Sequence, residues 1–150
     1  MNGRARFRTA LPFMLLLCAA ACDRGAKRPD LIYRVDAAVR GWVVIVFDQP
    51  AAPALPMAGD ACVIDVPRSG VLVTSTRQWV GRGHDIFRTR GDDGREAVLS
   101  SDLVRAHRTG VRTAEGRSID YELFFIGTKA ELEAAESDDA ALSRALANVQ

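Results

Sequence analysis

"GWVVIVFD", residues 41–48, decides how this chain folds. Every residue from Trp42 to Phe47 is apolar, and Val43, Val44, Ile45 and Val46 are β-branched. Branched and aromatic side chains suit a pleated surface better than a helix. A run without polar alternation belongs to a strand covered on both faces. The segment is therefore expected to be a central strand. It ends in "QPAAPALP" (49–56), where Pro50, Pro53 and Pro56 favour an extended connector and forbid a sheet interior.

Strand signals continue on either side. "LIYRV" (31–35) predicts a first strand, and "ACVIDV" (61–66) and "VLVTST" (71–76) flank the turn "PRSG" (67–70), which reads as a hairpin. "HDIFRTR" (84–90), "GDDG" (91–94) and "REAVL" (95–99) predict a second hairpin. Residues 100–117 give only weak strand markers, Val104 and Val111, broken by Gly110 and Gly116. "IDYELFFIG" (119–127) closes the strand-rich region. Helix is expected only afterwards. Thr128 and Glu131 have the spacing of a capping box, Ser137 marks a break, and Leu142, Leu146 and Val149 share one helical face. The expected fold is mainly β: a small antiparallel β-sandwich or open barrel over residues 31–127, with a helical tail over 128–150.

The N-terminus reads as an address. Arg4, Arg6 and Arg8 precede an apolar stretch from Leu11 to Cys22, twelve residues long. Crossing a bilayer as a helix takes about 20 apolar residues, so this run is too short to be a stable span. A basic start, a short apolar run and small residues before a cut describe a secretory signal. Ala19, Ala20 and Ala21 lead directly into Cys22, an arrangement that resembles the lipobox of bacterial lipoproteins, with Ala19 standing where Leu is usual. Cleavage before Cys22 would make residues 1–21 a signal peptide. Cys22 would then be the site of lipid attachment, and residues 22–30 a polar tether. Several acyl chains, at about 0.8 kcal/mol per buried CH₂, hold a protein firmly to a membrane. The ordinary secretory alternative leaves Cys22 as a free thiol. Asp23 is the residue associated with inner-membrane retention in enteric-type sorting; other bacteria sort differently, so the membrane is left open.

Of three cysteines, Cys18 would leave with the signal and Cys22 would carry lipid, so Cys62 would stand alone with no disulfide partner. Taking Arg4, Arg6 and Arg8 from the 20 basic residues leaves 17 against 19 acidic ones, a net charge of −2. That balance argues against a nucleic-acid binder.

Parts of the chain resemble a family of uncharacterised bacterial lipoproteins, known only as a domain of unknown function. The resemblance rests on Gly41 and Val43, on Pro53, Leu55 and Pro56, on the turn Pro67, Ser69 and Gly70 leading to Thr74 and Ser75, and on Phe125, Gly127, Thr128 and Glu131. It spans residues 41 to 131, departs at Val35–Arg40, where a Pro- and Gly-bearing turn is usual, and finds no match over 77–117. It implies a lipid-anchored envelope domain and brings no activity, cofactor or catalytic residue.

Three groups carry candidate chemistry. His84 and Asp85, beside Gly81 and Gly83, could hold a metal or form a base and its orienting group, but neighbours on a strand point to opposite faces. Cys62 could be a nucleophile, though on a strand it shares a face with Ile64 and Val66. Trp79, in a less regular segment with Arg82 and His84, marks a candidate ligand surface. Residues 77–117 hold nine arginines against six acids, and 118–150 seven acids against two basic residues. The basic stretch could face an anionic envelope component, or the tail could fold back and pair with it. The expected function is a lipid-anchored envelope protein, on the periplasmic side of its membrane, acting as a structural or binding module without cofactor or metal. The alternative is a periplasmic hydrolase or metal-dependent enzyme using His84, Asp85 or Cys62.

Overall fold

Alternation along the first strand sets the layers. In the computed structural model, which describes residues 26–114 and 116–147, strand β1 (Asp30–Asp36) buries Leu31, Tyr33 and Val35 on one face. Strand β2 (Gly41–Val46) answers with Val43, Ile45 and, just beyond it, Phe47. The other strands are β3 (Met57–Ala58), β4 (Ala61–Val66), β5 (Val71–Val73), β6 (Asp85–Arg90), β7 (Glu96–Val98), β8 (Val104–Ala114) and β9 (Arg117–Ile126). One sheet has the order β3-β4-β1-β6-β7 and the other β5-β2-β9-β8. Between them lies a core of Leu31, Tyr33, Val35, Val43, Ile45, Phe47, Cys62, Ile64, Val66, Phe124 and Ile126.

The second face of β2 explains its unbroken apolar run. Val44 and Val46 point away from the first sheet and join Tyr121, Leu123, Leu142 and Ala145. Leu142 and Ala145 come from helix α2 (Asp138–Ala147), which covers the outer face of the second sheet. Helix α1 (Lys129–Ala134) begins with the expected capping box: Thr128 Oγ1 accepts from the Glu131 amide, and the Glu131 carboxylate accepts from the Thr128 amide. Ser137 caps α2 in the expected way, accepting from the Ala140 amide. Leu142 and Leu146 face the sheet, while Val149 lies outside the described residues. Among the described residues no helix is long and apolar enough to cross a membrane.

The mainly β, two-sheet architecture is the expected one, open rather than a closed barrel. Its sheets, however, are mixed. β1 runs parallel to both neighbours, β4 and β6, and β2 runs parallel to β5. The hairpin expected over 61–76 is absent, because β4 and β5 belong to different sheets. The turn does form, with the Gly70 amide donating to the Pro67 carbonyl, but it carries the chain across the core. Gly70 sits at φ 74, and a Cβ there would lie 2.8 Å from the Trp42 carbonyl oxygen. The hairpin of β6 and β7 is antiparallel as expected. The ambiguous segment 100–117 holds a single 3₁₀ turn (Ser101–Leu103) and then the long strand β8, which forms a hairpin with β9.

The expected tether is docked over its last part. Lys27 bridges to Arg82, the Arg28 amide donates to the Arg82 carbonyl, and the Arg82 amide donates to the Ala26 carbonyl. Gly81, at φ 139, permits this approach; a Cβ there would lie 2.0 Å from the Ala26 oxygen.

Candidate functional site: a cleft at one end of the sandwich

Four elements converge where residues 26–29 meet the sandwich. β1 supplies Tyr33, β9 Glu122, β8 His107 and β6 Asp85. Arg28 and Trp79 join them in the lining of a cleft of about 240 Å³. Alternation places Glu122 on the inward face of β9 with Phe124 and Ile126, where it is 3 % exposed. A buried carboxylate requires donors. The Tyr33 hydroxyl donates to Oε1 at 2.5 Å, and His107 Nε2 lies 2.8 Å from the same oxygen.

His107, its side chain 30 % exposed, reaches the cleft through a break in the β8 ladder. Pairing with β9 is regular from Arg108 onward and at Arg105, with a bulge between. Ala106 in that bulge has φ 50, a left-handed conformation that costs a non-glycine residue about 1–2 kcal/mol. The imidazole meets Tyr33, Phe87 and Phe124 edge-on. Its bond to Glu122 raises the His107 pKa, although burial opposes this. Burial, reinforced by the Glu122 carboxylate, pushes the Tyr33 phenol well above its ordinary range, so it remains a donor. At the mouth, Arg28 Nη2 lies 2.6 Å from Asp85 Oδ1, a pair with side chains 10 % and 30 % exposed.

The sequence-derived candidates fall in different places. Trp79 is half-buried, packs on the inter-sheet core and lines the cleft. Arg82 and His84 are exposed, and His84 pairs with Asp30, its Nδ1 3.2 Å from Oδ1. The His84 amide also donates to that carboxylate, which holds the Asp30 pKa below the usual range. Asp85 turns instead to Arg28, so His84 and Asp85 do not act as a pair. Cys62 is fully buried and burial pushes its thiol up to about 11, which makes it inert as a nucleophile. Among the described residues no cluster of three metal-ligating side chains occurs. The arginine-rich stretch and the acidic tail do meet: Arg108 pairs with Asp138 at 2.7 Å and Arg112 with Asp139 at 3.5 Å.

Glu122, Tyr33 and His107 were not among the candidates. Glu122 had a legible signal, a charge on the same strand face as Phe124 and Ile126. Tyr33 reads as an ordinary core aromatic. His107 had no signal, because the bulge overrides the parity of its strand.

The fold and its cleft define a small mixed β-sandwich with a buried carboxylate at one end of its core. A model of a family of unknown function, DUF6843, matches residues 28–135, and the chain belongs to that family. A crystal structure of a Bacillus anthracis protein, provisionally named a lipoprotein, is similar with a TM-score of 0.70 and 19 % identity. The match covers 83 % of this chain and 96 % of that one, and at this identity it speaks to the fold alone. No curated protein matches the sequence.

Proposed function

We propose that this is a bacterial envelope protein, held to the periplasmic side of a membrane by lipid on Cys22, that works as a binding module through the cleft at its anchored end. The observation that carries the binding role is the cleft itself, which is lined by the largely buried carboxylate of Glu122 with Tyr33 and His107 on it. The anchor is supported by the arginine-rich, apolar N-terminus ending in Ala21-Cys22. The provisional lipoprotein name of the structural neighbour agrees with it.

Docking of residues 26–29 adds a geometric consequence. Only three residues separate Cys22 from Ala26, and the four extended Cα steps span at most about 14 Å. The domain would therefore ride close to the bilayer. The cleft lining includes Arg28 and Gly81, which lie at the docked segment, so its mouth would open near the headgroups.

Fractionation and intact mass of the expressed protein beside its Cys22→Ser variant test the anchor. The expected result is a wild type in the membrane fraction, with mass added to a chain beginning at Cys22, and a variant that is uncleaved or unmodified. Two soluble, cleaved and lipid-free proteins would overturn it.

A further inference from the structure

Glu122 is bonded on one side only. Tyr33 and His107 both address Oε1, no side chain or amide among the described residues bonds to Oε2, and Glu122 lines the cleft. Glu122 is 3 % exposed yet its Oε2 is not sealed from solvent, so this oxygen can take a donor from outside. The backbone strain at Ala106 is spent on bringing His107 to this carboxylate, and such strain clusters where a site is built.

The surroundings select the donor. Arg28 and Asp85 pair with each other at the mouth, and the cationic partner that Glu122 has among the described residues is His107. A single free oxygen offers one acceptor point. Guanidinium is a planar fork that prefers two parallel acceptors, while ammonium is compact and satisfied by one. Trp79, half-buried in the lining, adds an aromatic wall that favours a cation. At about 240 Å³ the cleft is smaller than common ligand pockets of about 300–1,000 Å³, so it suits the end of a molecule rather than a whole cofactor.

We propose that the cleft binds a primary ammonium group, which donates to Oε2 of Glu122 beside Trp79. This rests on the binding-module reading above and names the ligand chemistry of the same site. The ammonium can come from a free amine or from an ethanolamine-type lipid headgroup near the cleft mouth.

Proton linkage gives the site a signature. The titratable and charged groups facing His107 are Glu122 from β9, Tyr33 from β1, Asp85 from β6, and Arg28 from the docked segment, with Phe87 and Phe124 packed against its ring. A proton on His107 and a bound ammonium compete for the same carboxylate. Binding therefore lowers the His107 pKa and tightens as pH rises through it.

The test uses the full chain in a detergent without amine groups, titrated with ethylammonium chloride while the His107 ring signals are followed by NMR at about pH 6 and about pH 8. Tetramethylammonium serves as a cation of equal charge with no N–H. The expected result is a saturable shift with ethylammonium alone, several-fold tighter at the higher pH and weakened at least about tenfold by Glu122→Gln. That variant keeps the shape and can still accept from Tyr33. Flotation with vesicles of ethanolamine-headgroup or choline-headgroup lipid forms the second arm. Response to the soluble amine assigns a free ligand, and response only to ethanolamine vesicles assigns the headgroup; both uphold the proposal. No response in either arm, equal binding of tetramethylammonium, or unchanged binding in Glu122→Gln overturns it. A chain without lipid on Cys22 would remove the anchor and leave the soluble titration unchanged, whereas a silent cleft would leave the anchor standing.

Discussion

Ala106 is where a single residue has the largest effect. Its positive φ slips the strand parity between Arg105 and Arg108 and turns His107 inward to Glu122. The consequence can be read from stability. The folded-state pKa of His107 lies above its unfolded value, so the native state holds that proton more tightly. This contribution is fully present below the unfolded pKa of about 6.5 and is lost as pH rises through the folded value. Urea midpoints measured between about pH 6 and pH 9 should fall with pH in the wild type, and this fall should flatten in His107→Gln; parallel curves would show that the Glu122 bond does not hold the proton. The same residues show how far sequence can be read. Glu122 betrays itself as a charge in an apolar strand, but a bulge leaves no local trace when its key residue is an alanine.

At the scale of elements, what was legible depended on whether local chemistry decides the outcome. β2 was readable because its β-branched run has to be covered twice, by the first sheet and by α2. The capping box at Thr128 was readable because both of its bonds are local. The turn at 67–70 was equally clear, yet its chemistry does not specify whether the chain returns in the same sheet or crosses to the other. β8 was obscured for another reason: it is an edge strand whose burial alternates only from Gly110 to Ala114, while residues 106–109 are all exposed. Helix α2 is held by packing more than by its charges. Leu142→Ala, at a site 1 % exposed, should cost about 2–5 kcal/mol in urea unfolding, whereas Arg108→Ala, which removes a partly exposed ion pair, should cost under about 1 kcal/mol. Equal costs would mean that the ion pairs, not the apolar seam, fasten the helix.

Across the whole molecule the chain changes sheet repeatedly: β1 lies in one, β2 in the other, β3 and β4 in the first, β5 in the second, β6 and β7 in the first, β8 and β9 in the second. Neither sheet can be completed before most of the chain has been laid down. Folding should therefore be cooperative and slow, in the millisecond-to-second range of topologies dominated by distant pairings. Stopped-flow refolding followed by tryptophan fluorescence and by far-UV dichroism should give one common rate; a fast phase for one sheet alone would contradict this. The parallel placement of β1 has a mechanical side. It is flanked along six residue pairs by β4 and six by β6, and the Lys27–Arg82 bridge continues that alignment toward the N-terminus. Tension arriving through the N-terminal chain pulls β1 along its own length. Both ladders are then loaded in shear, with their bonds sharing the force instead of opening one by one. A domain tugged from that end resists as a riveted plate does, not as a zipper.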